Sequence, residues 1–129
     1  MIKIGITGSL ASGKTTASKI LSYKRGPLFS ADVAVKELYK NKNFRSLVSK
    51  EFGIENNNQI KKSIKKLLIK DKKNLKKLEK LIHPQVRKKM KKFTYKNRYK
   101  KTLFYEIPLL IESKLMSFFN LIIFIKSKK

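Results

Sequence analysis

The chain has 129 residues, enough for one domain with a modest core but short for an enzyme with a separate lid or substrate domain. It lacks cysteine, which excludes disulfides and thiolate metal sites. Its formal charge is +25, yet only four of 33 basic residues are arginine (Arg25, Arg45, Arg87 and Arg98), and lysine covers almost every predicted helix face, so a dedicated polynucleotide groove built on bidentate arginine contacts is not indicated.

Residues 2–6, "IKIGI", alternate as a short apolar strand that follows Met1 directly and is too short for a leader, so no secretory signal is expected. The strand runs into Gly8-Ser9-Leu10-Ala11-Ser12-Gly13-Lys14-Thr15, a full G-x-x-x-x-G-K-[ST] match, and "KTTASKILSY" continues with helical spacing. The glycines allow the backbone to bend so that successive N–H groups point inward, and the helix beyond adds partial positive charge. Gly8, Ala11, Ser12 and Gly13 are therefore expected to cradle phosphates, with Lys14, Thr15 and Thr16 completing the contacts. Lys14 should reach the β- and γ-phosphates of ATP, and the Thr15 hydroxyl should help to hold Mg²⁺. A glycine-rich turn between strand and helix is the plain structural alternative. The turn speaks for nucleotide binding and says nothing of the reaction.

Gly26-Pro27 breaks the chain, and "LFSAD" at 28–32 reads as a second strand with Asp32 at its carboxyl end, followed by a helix over "VAVKELYK". Ligands bind beyond the carboxyl ends of strands in open α/β sheets, so Asp32 is a candidate to orient or deprotonate an acceptor hydroxyl. As a helix N-cap it would be purely structural, and position leaves both readings open. From Asn41 to about Tyr99 three apolar stripes at helical spacing follow: Ile60, Ile64, Leu67 and Leu68, then Leu75, Leu78, Leu81 and Ile82, then Val86, Met90 and Phe93. Gly53 suits a helix terminus, Asp71 a helix cap, and Pro84 the first turn of the third helix. His83, the single histidine, is a packing or capping residue or, with Arg87 one turn on, a pair of donors for an anionic substrate.

"TLFYEIPLLIE" returns to strand character up to Pro108, with Glu106 and Glu112 flanking "IPLLI". "FFNLIIFI" follows as an apolar strand expected to be buried on both faces. Its "LIIFI", the longest apolar run, is far too short to span a membrane, so no membrane association is expected. The alternation predicts an α/β parallel sheet flanked by helices, with residues 1–40 and 100–129 as the core and 41–99 as an inserted helical region.

The ordered set "GITGSLASGKTTAS", "SADVAVKELY", "FG" at 52–53, "LEKLIHPQVRKKM" and "EIPLLIES" resembles the dephospho-coenzyme A kinase family from Met1 to the chain's end. The first motif is shared by many P-loop kinases, whereas "HPQV" and "PLLIE" after an "AD" strand end are far more specific. The resemblance implies a P-loop kinase fold, transfer of the ATP γ-phosphate to the ribose 3′-hydroxyl of dephospho-coenzyme A, ATP and Mg²⁺ as cofactors, and a cytoplasmic location. It makes Asp32 the base beside the acceptor hydroxyl. It also places His83 in the helical substrate-binding region and Pro108, Leu109, Leu110 and Glu112 on the family's strand-end motif, so that these residues, with Arg87 as the donor paired to His83, are expected at the substrate and 41–99 becomes the substrate-binding insertion. Departures are Ser30, where the family usually has a first aspartate, and Lys61, where it has an arginine. The family also continues past "LIIFI" with an arginine-bearing lid, further helices and a last strand. This chain stops at "KSKK", so the C-terminal part of the fold is expected to be missing, "LIIFI" to be left as a bare apolar sheet edge, and turnover to be poor. A P-loop nucleoside or nucleotide kinase of other specificity, and a non-catalytic basic nucleotide-binding remnant, are the competing readings.

Overall fold

The structure is a computed structural model and describes residues 1–8, 13–107 and 116–126. Four parallel strands form one sheet: β1 (Ile2–Gly8), β2 (Leu28–Ser30), β3 (Thr102–Glu106) and β4 (Leu121–Ile125), in the order β2-β3-β1-β4. β1 pairs with β3 from Ile2↔Thr102 to Ile6↔Glu106 and with β4 from Ile4↔Leu121 to Gly8↔Ile125. The helices are α1 (Lys14–Ser22), α2 (Ala31–Leu38), α3 (Lys42–Phe52), α4 (Ile60–Lys70) and α5 (Lys73–Lys96), with a short 3₁₀ turn at Met116–Phe118.

The chain divides into two compact units, Met1–Asp32 with Lys89–Lys129, and Val33–Lys88. The first contains the sheet, with α1 packed on β3, β1 and β2. Alternation puts Leu103 and Tyr105 on one face of β3 and Phe104 and Glu106 on the other. Leu103, Phe104 and Tyr105 are all buried, as a strand covered on two sides requires. Tyr105 is the hub of an aromatic cluster, its ring centroid 5.4 Å from Phe93, 5.5 Å from Phe118, 5.3 Å from Phe119 and 6.3 Å from Phe29. Its hydroxyl meets the Thr94 hydroxyl at 2.5 Å, which satisfies the polar end of a buried side chain. Burial pushes the Tyr105 phenol above its ordinary pKa, and the Thr94 hydrogen bond opposes that rise.

The second unit is helical. Asn41 caps α3 by accepting the Phe44 N–H at 3.1 Å, and Gly53 ends it in the left-handed region (φ 63°). Phe44 and Val48 of α3 and Ile60 and Ile64 of α4 are buried, one helical turn apart on each helix. Asp71 stands between α4 and α5 and accepts the Lys73 N–H at 2.9 Å, the capping role expected of it.

Four local expectations are corrected. Asp32 does not end a strand. β2 stops at Ser30, which pairs with Glu106, the last residue of β3, so residue 31 has no ladder partner and the chain turns into α2. The two stripes around Pro84 belong to one helix, α5, with Pro84 exposed in its interior. The buried series Leu78, Val86 and Met90 runs through that point, and its burial outweighs the roughly 3 kcal/mol cost of an interior proline. Leu75 is exposed rather than part of the packed stripe. β4 is an edge strand among the described residues, with Leu121 53% and Phe124 46% exposed, so it is not buried on both faces.

Candidate active site

β1 lies between β3 and β4, and the chain leaves its carboxyl end toward α1 and β2 on one side of the sheet. Such a reversal of strand order opens a crevice at the carboxyl edge. Gly8 is buried at the end of β1. Ser9 to Ser12, hence Ala11 and Ser12 of the expected cradle, lie outside the described residues. The described chain resumes at Gly13, whose φ of 80° is in the left-handed region. A Cβ there would meet nothing within 4 Å, so it is backbone conformation rather than space that calls for glycine.

Lys14 is half-buried and begins α1, with its carbonyl accepting the Ser18 hydroxyl at 2.8 Å. The Ala17 N–H donates to the Gly13 carbonyl at 2.9 Å, closing the first helical turn. Among the described residues no side chain caps α1, and no carboxylate stands in its first turn. Its leading N–H groups and the positive end of its dipole are thus left available to an anion. Thr16 is exposed beside Thr15.

The Thr15 hydroxyl donates to Glu106 Oε1 at 2.9 Å, tying the first turn of α1 to the carboxyl end of β3. Glu106 is only 3% exposed, and a carboxylate so enclosed needs polar company. In the sequence Glu106 stands out by its place at a strand end beside "IPLLI", which gives it functional weight but no specific role. The two oxygens are hard donors of the kind Mg²⁺ prefers. Among the described residues no group of three or more His, Cys, Asp or Glu could hold a metal ion. The donor set therefore fits a cation held mostly by phosphate and water, as Mg²⁺ is at nucleotide sites. Thr7, which no sequence motif singles out, is fully buried next to Gly8, and its hydroxyl has no hydrogen-bond partner among the described residues. Buried hydroxyls are seldom left unpaired, so this one points to a group beyond the described chain.

Asp32 is exposed in the first turn of α2, where a carboxylate is favoured by the helix dipole. It follows the end of β2 by two residues, and β2 is in register with Glu106 through Ser30. His83 and Arg87 sit one turn apart on α5. His83 is buried and already has a partner within the chain, while Arg87 is half-buried. Pro108, Leu109 and Glu112 lie outside the described residues. No described helix is long and apolar enough to cross a membrane.

A parallel sheet whose strand β1 leads through the glycine motif of the sequence into α1, a helix with no side-chain cap among the described residues, and which carries a carboxylate on the neighbouring strand defines a fold of the P-loop kinase type. A crystal structure of TT1252 from Thermus thermophilus superposes with a TM-score of 0.79 at 26% identity, covering 97% of this chain and 65% of that one. The family model described as dephospho-CoA kinase matches residues 2–129, and the chain belongs to that family. Relatives named dephospho-CoA kinase include one from Bartonella quintana, 41% identical over 115 residues, covering 86% of this chain and 59% of the relative. Another, from Fusobacterium nucleatum, is 33% identical over 128 residues, covering 96% and 66% respectively. The chain thus spans about three-fifths to two-thirds of the length of these relatives.

Proposed function

We propose that the chain carries the phosphate-binding and acceptor-activating machinery of an ATP-dependent kinase that phosphorylates the ribose 3′-hydroxyl of dephospho-coenzyme A, giving coenzyme A and ADP. The observation that carries this reading is the Thr15–Glu106 hydrogen bond at 2.9 Å. It joins the helix after the glycine turn to the end of β3, in a chain of the dephospho-CoA kinase family. Gly8, Ala11, Ser12 and Gly13 would wrap the phosphates, while Lys14 and the start of α1 would stabilise negative charge on the transferring phosphoryl. Thr15 and Glu106 would hold Mg²⁺, which supplies charge neutralisation on the phosphate oxygens when bound. Asp32 would accept the proton of the 3′-hydroxyl as the oxygen attacks the γ-phosphorus. The bond from that phosphorus to the β,γ-bridging oxygen then breaks, and ADP departs. His83, Arg87, Pro108, Leu109 and Glu112 belong to the acceptor side of the same reading. The helical region 41–99 belongs there as well. A cytoplasmic location accords with ATP and dephospho-coenzyme A as substrates.

Incubation with Mg-ATP and dephospho-coenzyme A should yield the 3′-phosphorylated product. Asp32→Asn should lower its formation by about a hundredfold or more while nucleotide affinity is retained. Undiminished product from Asp32→Asn would overturn the assignment of the base.

A further inference from the structure

The last turns of α5 and the chain after it, residues 91–101, carry an exposed surface of which no side chain has a role in the kinase reading. These residues belong to the unit that contains the sheet. Lys101 directly precedes β3, whose far end is Glu106, so the surface lies at the amino edge of the sheet, about 15 Å along the strand from the carboxyl edge. Helical periodicity sorts the side chains. Met90 is buried, Phe93 packs its ring 5.4 Å from Tyr105, and Thr94 meets the Tyr105 hydroxyl. Lys91, Lys92, Tyr95 and Lys96 are exposed. The inward contacts fix the helix on β3, so the outward row stands on a rigid support.

Beyond α5 the backbone is held as a turn, with the Asn97 N–H donating to the Phe93 carbonyl at 3.1 Å and the Lys100 N–H to the Asn97 carbonyl at 3.0 Å. Arg98 Nη1 donates to the Tyr95 carbonyl at 2.8 Å. Its guanidinium carbon stands 4.1 Å from the centre of the Tyr95 ring and 4.6 Å from that of Tyr99, so one cation steadies two rings. Tyr95 is 68% and Tyr99 87% exposed, which leaves each ring a face open to solvent. Lys100 and Lys101 are exposed as well, and the sequence has no Asp or Glu between Glu79 and Glu106. The cations of 91–101 therefore have no carboxylate within their own stretch.

Lysine alone is no guide in this chain, since every α-helix carries it. What marks 91–101 is the pair of solvent-facing rings around its single arginine. Cations attract any polyanion, whereas open rings favour one with unpaired bases, which stack on them. A duplex hides the faces of its bases, and unpaired bases are ordinary in the loops and ends of RNA. A lipid surface is the poorer fit, because Met90 and Phe93 are turned inward and no aliphatic residue is exposed over 91–101 to enter the acyl boundary. We propose that Tyr95, Arg98 and Tyr99, with the flanking lysines, form a docking surface for single-stranded RNA, bound through base stacking and phosphate contacts without regard to sequence. The proposal does not depend on the kinase reading, because the two share no residue.

The test titrates the full chain into a fluorescently labelled oligouridylate of about twelve nucleotides and follows anisotropy, with and without excess Mg-ADP. Saturable binding is expected, with Mg-ADP changing the affinity by less than about twofold. Displacement by Mg-ADP would put the RNA at the glycine turn and overturn the proposal. Tyr99→Ala keeps every charge and removes a ring that is 87% exposed, so the fold is retained. It should weaken RNA binding about tenfold, yet change the binding of heparin, a polyanion without bases, by less than about twofold. An RNA duplex of the same length should be equally insensitive to Tyr99→Ala. Unchanged oligouridylate affinity in Tyr99→Ala would mean general attraction to a lysine-rich surface, and an equal loss for heparin would mean that the ring serves the charges rather than the bases. Either result overturns the proposal. So would phosphatidylserine vesicles that lose binding in Tyr99→Ala while RNA affinity stays as it was, which would assign the surface to a membrane.

Discussion

Glu106 sits where a buried carboxylate is costly, 3% exposed at the end of β3, and its contact with Thr15 is a single neutral donor. A second positive partner from the ligand side would offset that cost, as Mg²⁺ bound to nucleotide would. Glu106→Gln keeps an oxygen to accept the Thr15 hydroxyl but removes the charge. The Mg²⁺ concentration for half-maximal product formation should therefore rise about tenfold, with ADP binding in a chelator unchanged. An unaltered Mg²⁺ dependence would remove Glu106 from the metal's surroundings. Asp32 differs in being exposed, so the proposal that it takes the proton rests on its place two residues past the end of β2 and on family membership rather than on an enclosed environment.

At the scale of elements, α5 is the informative case. A 24-residue helix with proline in its interior is held by what it buries, not by its local preferences. Pro84 cannot donate to the carbonyl one turn back, and its own side chain is exposed, so it contributes little packing. Pro84→Ala should therefore stabilise the chain by about 1–3 kcal/mol, read as an increase in the urea midpoint with unchanged slope. A loss of stability would mean that the helix depends on a bend at this residue. The sequence stripes on either side were legible, but their fusion was not. The spacing from Leu78 through Ile82 and Val86 to Met90 continues in fours across the proline, and only the buried surface shows that it prevails.

For the molecule as a whole, charge and edge act in opposite directions. A net charge of +25 keeps copies apart, while β4, an edge strand among the described residues, has Leu121 and Phe124 about half exposed. Raising ionic strength screens the repulsion and leaves the edge as it was. Light scattering should therefore increase with salt, and Phe124→Lys should suppress that increase while changing the melting temperature by only a few degrees. Persistent scattering in Phe124→Lys would place the sticky surface elsewhere.

By itself the sequence determined the strand before the glycine motif and the helix after it, the α/β class and the family, because these depend on local backbone requirements and on spacing along the chain. It also singled out Lys14, Thr15 and Asp32 through motif and order. Only the tertiary structure decided that Thr15 reaches Glu106 across 91 positions of chain. It alone, too, set Phe93 and Thr94 against Tyr105 and so left Tyr95 in solvent. Those facts follow from which strands pair and which helices pack, and burial free energy summed over distant residues settles such choices without leaving a local signature.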